Sequence, residues 1–304
     1  MRRLLLARSL PLAFATLSVL GTGCKSSAST TEVTLTDGVV AVMQGNTSLS
    51  TLVTGITAST TLDSTLNTSG AGFTVFAPVN SAFGALPAGV QDRLLLAGNN
   101  AILQRLLSYH VLPQKVLSTA FTEGELLTTV QGATVKITLA GGLKVNGHNI
   151  TQVDIPAANG VIDLIDGVLT DQLDVVDVAT LRGFSTFVAA AVSTGVQYEL
   201  RGNGAGSGIT VFVPTDTAFA ALGALPTDTT LTNLLHYHIV AALDSAASFT
   251  NNEVLPTVEG EVLHTLVSGS ALQVQGAKNT GTVTTTNIAA KNGIIHVVDG
   301  VLQP

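Results

Sequence analysis

The segment GFTVFAPVNSAFGAL, Gly72 to Leu86, returns 136 residues later as GITVFVPTDTAFAAL, Gly208 to Leu222. Further blocks recur in the same order. LLSYH (106–110) answers LLHYH (234–238) at an offset of 128, and NGVIDLIDGVL (159–169) answers NGIIHVVDGVL (292–302) at 133. Before the first block, Leu49, Leu52, Val53 and Ile56 carry the i, i+3, i+4, i+7 stripe of an amphipathic helix, as do Phe184, Phe187, Val188 and Ala191. A period near 135 residues is too long for a solenoid and fits two whole domains, at roughly 36–170 and 174–304. Almost no linker separates them, so the copies are expected to touch. The duplication is also an internal control: a group essential to the domain's chemistry belongs in both copies.

The first 24 residues read as a targeting segment. Arg2, Arg3 and Arg8 precede an apolar stretch, Leu10–Leu20, too short to span a bilayer. It ends in Leu-Gly-Thr-Gly-Cys, and Cys24 is the only cysteine in the chain. This resembles a bacterial lipobox, with Gly21 where a leucine is usual. Lipidation of Cys24 is the expectation; the competing reading is an ordinary secretory signal that leaves a free thiol. Residues 25–35 are then a polar tether. Lys25, where an inner-membrane retention signal would carry Asp, favours the outer membrane.

Without Arg2, Arg3 and Arg8 the 13 basic residues fall to 10 against 20 acidic, a formal charge of −10. No basic run exists, so nucleic acid is not an expected partner. The charged fraction is only 11%, against roughly 25% in an average domain, so the surface relies on Thr, Ser, Asn and Gly.

Locally, Phe73–Phe76 is a β-branched and aromatic run that predicts a strand ending at Pro78. Asn80 and Asp216 stand where a helix N-cap is expected. Copy 1 has Val79 where copy 2 has Thr215, losing a capping hydroxyl whose role Asn80 is expected to assume. Val161–Leu169 predicts a buried strand.

TVFAPVNSAF and TVFVPTDTAF resemble the first homology box of the fasciclin (FAS1, βIg-H3) domain. NGVIDLIDGVL and NGIIHVVDGVL resemble its second box, and Tyr109–His110 and Tyr237–His238 its central motif. The resemblance covers nearly everything after the tether. It implies an α+β fold, a β-wedge with helices packed on one side in each of two tandem domains, and a role in adhesion.

Two readings of the Tyr-His pairs stand. His110 and His238 lie on apolar stripes (Leu103, Leu106, Leu107 and Leu231, Leu234, Leu235), which favours buried imidazoles bonded to backbone. The resemblance implies instead recognition of a protein partner by Tyr109, His110, Tyr237 and His238 with flanking Val111, Leu112, Ile239 and Val240. His236-x-His238 has a metal-like look, but Ser108 replaces His236 in copy 1, so an exposed histidine beside a buried one is expected and no metal. His296, at the family's second-box histidine, is Asp163 in copy 1, which favours polar packing. Asp166 and Asp299 match, and each is expected to bond backbone beside the following glycine.

Enzyme motifs fail: no G-x-S-x-G is present, and the glycines of 201–208 lack dinucleotide spacing. Arg-Gly-Asp is absent. The expectation is a non-enzymatic, cofactor-free binding protein of the cell envelope or its surroundings that mediates surface or matrix adhesion. The alternative is a carrier of a small apolar ligand such as a pigment or lipid; a hydrolase ranks below both.

Overall fold

The computed structural model describes residues 36–68, 70, 72–203, 208–269 and 271–304. The targeting segment, Cys24, the tether and residues 204–207 of the glycine-rich stretch lie outside them.

Copy 1 opens with α1 (Val39–Gln44), α2 (Ser50–Ala58) and α3 (Thr60–Leu66), then β1 (Phe73–Pro78), α4 (Asn80–Gly84), α5 (Val90–Leu94) and α6 (Asn100–Tyr109). Six strands follow: β2 (Val111–Leu112), β3 (Leu126–Thr128), β4 (Thr134–Thr138), β5 (Lys144–Val145), β6 (His148–Ala157) and β7 (Gly160–Ile165). Copy 2 repeats the plan with α7 (Val175–Arg182), α8 (Ser185–Thr194), β8 (Ile209–Pro214), α9 (Asp216–Leu222) and α10 (Asp228–Tyr237). Its remaining strands are β9 (Ile239–Val240), β10 (Val254–Pro256), β11 (Val262–Ser268), β12 (Ala271–Gln275), β13 (Thr280–Ala290) and β14 (Gly293–Val298). The fold is α+β, with two seven-stranded sheets ordered β2-β1-β7-β6-β5-β4-β3 and, strand for strand, β9-β8-β14-β13-β12-β11-β10.

The two homology boxes meet in a parallel pairing in each sheet, β1 with β7 and β8 with β14, and among the described residues the other strand pairings are antiparallel. Strand period decides what each side chain faces. Phe73, Val75 and Ala77 point to the helical layer, whereas Phe76 points into a second core inside the wedge with Tyr109, Phe121, Leu127, Val135 and Ile165. Copy 2 repeats this second core with Phe212, Tyr237, Phe249, Leu255, Leu263 and Val298. The wedge cores are separate, but the helical-layer cores of both copies join in one apolar cluster. Gly160 and Gly293 open the second-box strands because a Cβ there would stand 2.4 Å from the carbonyl oxygens of Phe73 and Ile209.

The copies also meet through charge. Arg105 on α6 pairs with Asp177 on α7, which is fully buried and also held by Arg201 at 3.0 Å. Arg93 on α5 donates to the Leu181 carbonyl in the last turn of α7 at 3.2 Å. Among the described residues no helix is long and apolar enough to cross a membrane.

Candidate functional site

His110 is the C-cap of α6, where the last four carbonyls lack helical partners. Its Nδ1 lies 2.8 Å from the Leu106 carbonyl, so Nδ1–H donates, and its Nε2 accepts the Leu169 N–H at 2.9 Å. His238 does the same with Leu234 (2.7 Å) and Leu302 (2.9 Å). Each imidazole therefore ties a helix end to the chain just past the second box. Burial pulls both down to about 4, so they are neutral near pH 7. The tyrosines are equally enclosed. Tyr109 Oη donates to the Thr134 carbonyl (2.8 Å) and Tyr237 Oη to that of Val262 (3.1 Å). All four side chains are at most 1% exposed, and their polar atoms are spent inside the fold. Direct partner contact through Tyr109, His110, Tyr237 and His238 is thereby corrected. His238 has no ring nitrogen left for a metal, which removes the His-x-His reading.

The cap expectation needs correction too. The N-caps of α4 and α9 are Val79 and Thr215, and Asn80 and Asp216 are the first helical residues. Their side chains reach instead to a different helix start. Asn80 Oδ1 accepts the Thr51 N–H of α2 at 3.0 Å, and Asp216 Oδ1 accepts the Thr186 N–H of α8 at 2.9 Å. Thr215 Oγ1 accepts the Ala218 N–H at 3.1 Å, whereas in copy 1 the Ala82 N–H falls back on the Val79 carbonyl at 2.8 Å. Asn159 and Asn292 work similarly at long range, accepting the first N–H of α1 and α7 from Val39 (2.8 Å) and Val175 (3.0 Å). Asp166 and Asp299 bind backbone N–H groups across the sheet, those of Asn149 (2.8 Å) and Thr282 (2.7 Å).

Positions 163 and 296 face the wedge cores. Asp163 Oδ1 accepts the Asp154 N–H at 2.8 Å, while Oδ2 is buried without a partner; burial pushes the carboxyl up to about 6. His296 stacks on Phe212 at 5.6 Å between ring centroids, and its Nε2 lies 3.1 Å from the Asp244 carbonyl. His236 is half-buried rather than exposed, with Glu199 Oε2 2.9 Å from its Nε2 but not aligned as a hydrogen bond.

What recurs on the outside is apolar. The sheets end in edge strands β3 and β10, whose outward residues Leu126 and Val254 are 63% and 52% exposed. Four residues on, Val130 and Val258 are 36% and 41% exposed. The Val130 N–H donates to the Val111 carbonyl (2.7 Å) and the Val258 N–H to that of Ile239 (2.8 Å), so the backbone of each valine is tied to the residue that follows its Tyr-His motif. The signal was in the chain: Glu125-Leu-Leu-Thr-Thr-Val-Gln-Gly132 answers Glu253-Val-Leu-Pro-Thr-Val-Glu-Gly260 at the same offset of 128 as the Tyr-His blocks.

The Fasciclin domain family matches the chain twice, at residues 47–171 and 182–304. The chain belongs to the fasciclin domain family. It is 30% identical over 241 residues to the pig transforming growth factor-beta-induced protein ig-h3, covering 76% of this chain and 34% of that protein. It is 30% identical over 245 residues to human periostin, covering 75% and 28%. A Synechocystis protein, sll1483, is 41% identical over 95 residues, covering 31% and 53%. The chain thus spans about a third of the length of these animal relatives. Among solved structures, a FAS1 domain pair from the insect cell adhesion molecule Fasciclin I matches with a TM-score of 0.37 and 17% identity, over 84% of this chain and 97% of that one.

Proposed function

We propose that this chain is a non-enzymatic adhesion protein of the bacterial cell envelope, held by lipidated Cys24 in the outer membrane and binding a protein or matrix partner. The observation that carries this reading is the recurrence of Leu126 and Val130 as Val254 and Val258, exposed at corresponding edges of both sheets. The groups that invite chemistry, Asp163 and His296, differ between copies and are buried. The exposed side chains offer an apolar surface to a partner, while Pro256 in β10 and the paired N–H groups of Val130 and Val258 leave recognition to side chains rather than to added backbone pairing. Two such edges on one tether convert a weak contact into a firm one by raising effective concentration. Deleting the gene should reduce host attachment to surfaces or to other cells; unchanged attachment across several surfaces contradicts adhesion. Labelling with a palmitate analogue should mark the wild-type chain and not Cys24→Ser, and equal labelling would contradict the anchor.

A further inference from the structure

Between the copies lies a cleft of about 280 Å³, near the lower end of the roughly 300–1,000 Å³ typical of ligand pockets. Copy 1 supplies Val90 from α5, the connector supplies Leu173, and copy 2 supplies Val178 and Leu181 of α7 with Ile288 of β13. All five are buried side chains of the joint core, so the floor is apolar. The outer wall is an irregular stretch of β13, where Thr286 and Asn287 have no partner in the pairing with β14 and Asn287 sits at φ 57°. Exposed Thr170 and Thr286 give the rim hydroxyls.

Arg182, the last residue of α7, also lines the cleft. Other arginines where the copies meet are spoken for: Arg105 and Arg201 pair with Asp177, and Arg93 donates to Leu181. Arg182 makes no ion pair or side-chain hydrogen bond among the described residues, and no acidic residue lines the cleft. Burial alone pulls its guanidinium below the usual range, with no neighbouring carboxylate to offset the effect. Arg182 complements the C-terminal end of α7, but copy 1 forms the corresponding helix end without a basic residue. Aligning Val39 with Val175, whose N–H groups are held by Asn159 and Asn292, puts Asn46 at the corresponding place in copy 1.

We infer that this cleft binds a small aliphatic monocarboxylate, its chain on the Val90–Leu173–Ile288 floor and its carboxylate paired with Arg182. A guanidinium fork matches a carboxylate in two parallel hydrogen bonds, and the partly desolvated setting strengthens them. The chain as a whole is acidic, so its long-range field works against anion capture, and binding depends on this local cation. The site is independent of the edge strands and stands whether or not they adhere.

The test is calorimetric titration of the full chain with octanoate and, as a neutral probe, 1-octanol. Octanoate should bind one per chain and more tightly than octanol. Arg182→Gln should weaken octanoate at least tenfold with octanol and melting temperature unchanged, and Arg182→Lys should fall between. Thr286→Trp, an exposed rim position, should weaken both probes. Methyl shifts on octanoate addition should centre on Val178, Leu181 and Ile288. Equal octanoate affinity in the wild type and Arg182→Gln, shifts centred elsewhere, or no binding at millimolar octanoate would overturn the assignment.

Discussion

His238 accepts the backbone N–H of Leu302 at 2.9 Å while donating to the Leu234 carbonyl, and thereby fastens the end of α10 to the chain beyond β14. His110 repeats the arrangement with Leu169 and Leu106. Alanine at either position leaves a buried N–H and a buried C=O unpaired. Each orphan costs about 1–3 kcal/mol, so His110→Ala and His238→Ala should each lose about 3 kcal/mol or more. Urea unfolding measures this; a loss under about 1 kcal/mol would contradict the tie.

Acid should loosen copy 2 before copy 1. Both imidazoles titrate near 4 in the fold and near 6.5 outside it, so their contribution is complete above 6.5 and is lost as pH falls towards 4. Each costs up to about 3 kcal/mol by then. His296 is also held below its usual value by burial and adds to the loss in copy 2, partly offset by Asp244, whose carboxyl burial raises. Asp163 acts oppositely: raised to about 6, it favours the fold at low pH and loses that contribution as pH rises through 6. It therefore offsets His110 in copy 1. Hydrogen exchange, corrected for intrinsic rates, should show β8 and β14 losing more protection between pH 7 and 4.5 than β1 and β7. Equal loss would contradict the opposed roles of positions 163 and 296.

Val79 and Thr215 have nearly the same backbone, φ −72°, ψ 161° and φ −66°, ψ 158°, yet only Thr215 caps its helix. Val79→Thr restores the hydroxyl and should raise stability by about 0.5 kcal/mol, below the ~1 kcal/mol of a full cap because Ala82 already has a backbone acceptor. Thermal melting of wild type and variant checks the sign.

The reach of a residue decides what the sequence shows of it. Phe73–Phe76 announces its strand through β-branched and aromatic content, and the period of Leu103, Leu106 and Leu107 places His110 on the buried face of α6. Asn80 misleads because local pattern assigns its carbonyl to the nearest helix, while the N–H it accepts belongs to Thr51 and arrives only when α2 folds against α4. Leu126 and Val254 were hidden for a related reason. An apolar edge residue looks like a core residue in one dimension, and only the finished sheet order puts β3 and β10 last, with Leu126 and Val254 exposed. Arg182 carries no motif at all; its isolation follows from which arginines find carboxylates in the assembled fold.

Adhesion through the edge strands is open to a direct attachment assay. Host attachment should be compared for wild type, Leu126→Asp with Val130→Asp, Val254→Asp with Val258→Asp, and all four together, at matched surface level and melting temperature. Each edge alone should lower attachment partly, and the fourfold variant should lower it more than the product of the two partial losses, as paired engagement requires. Attachment by the fourfold variant equal to wild type would contradict binding through these edges.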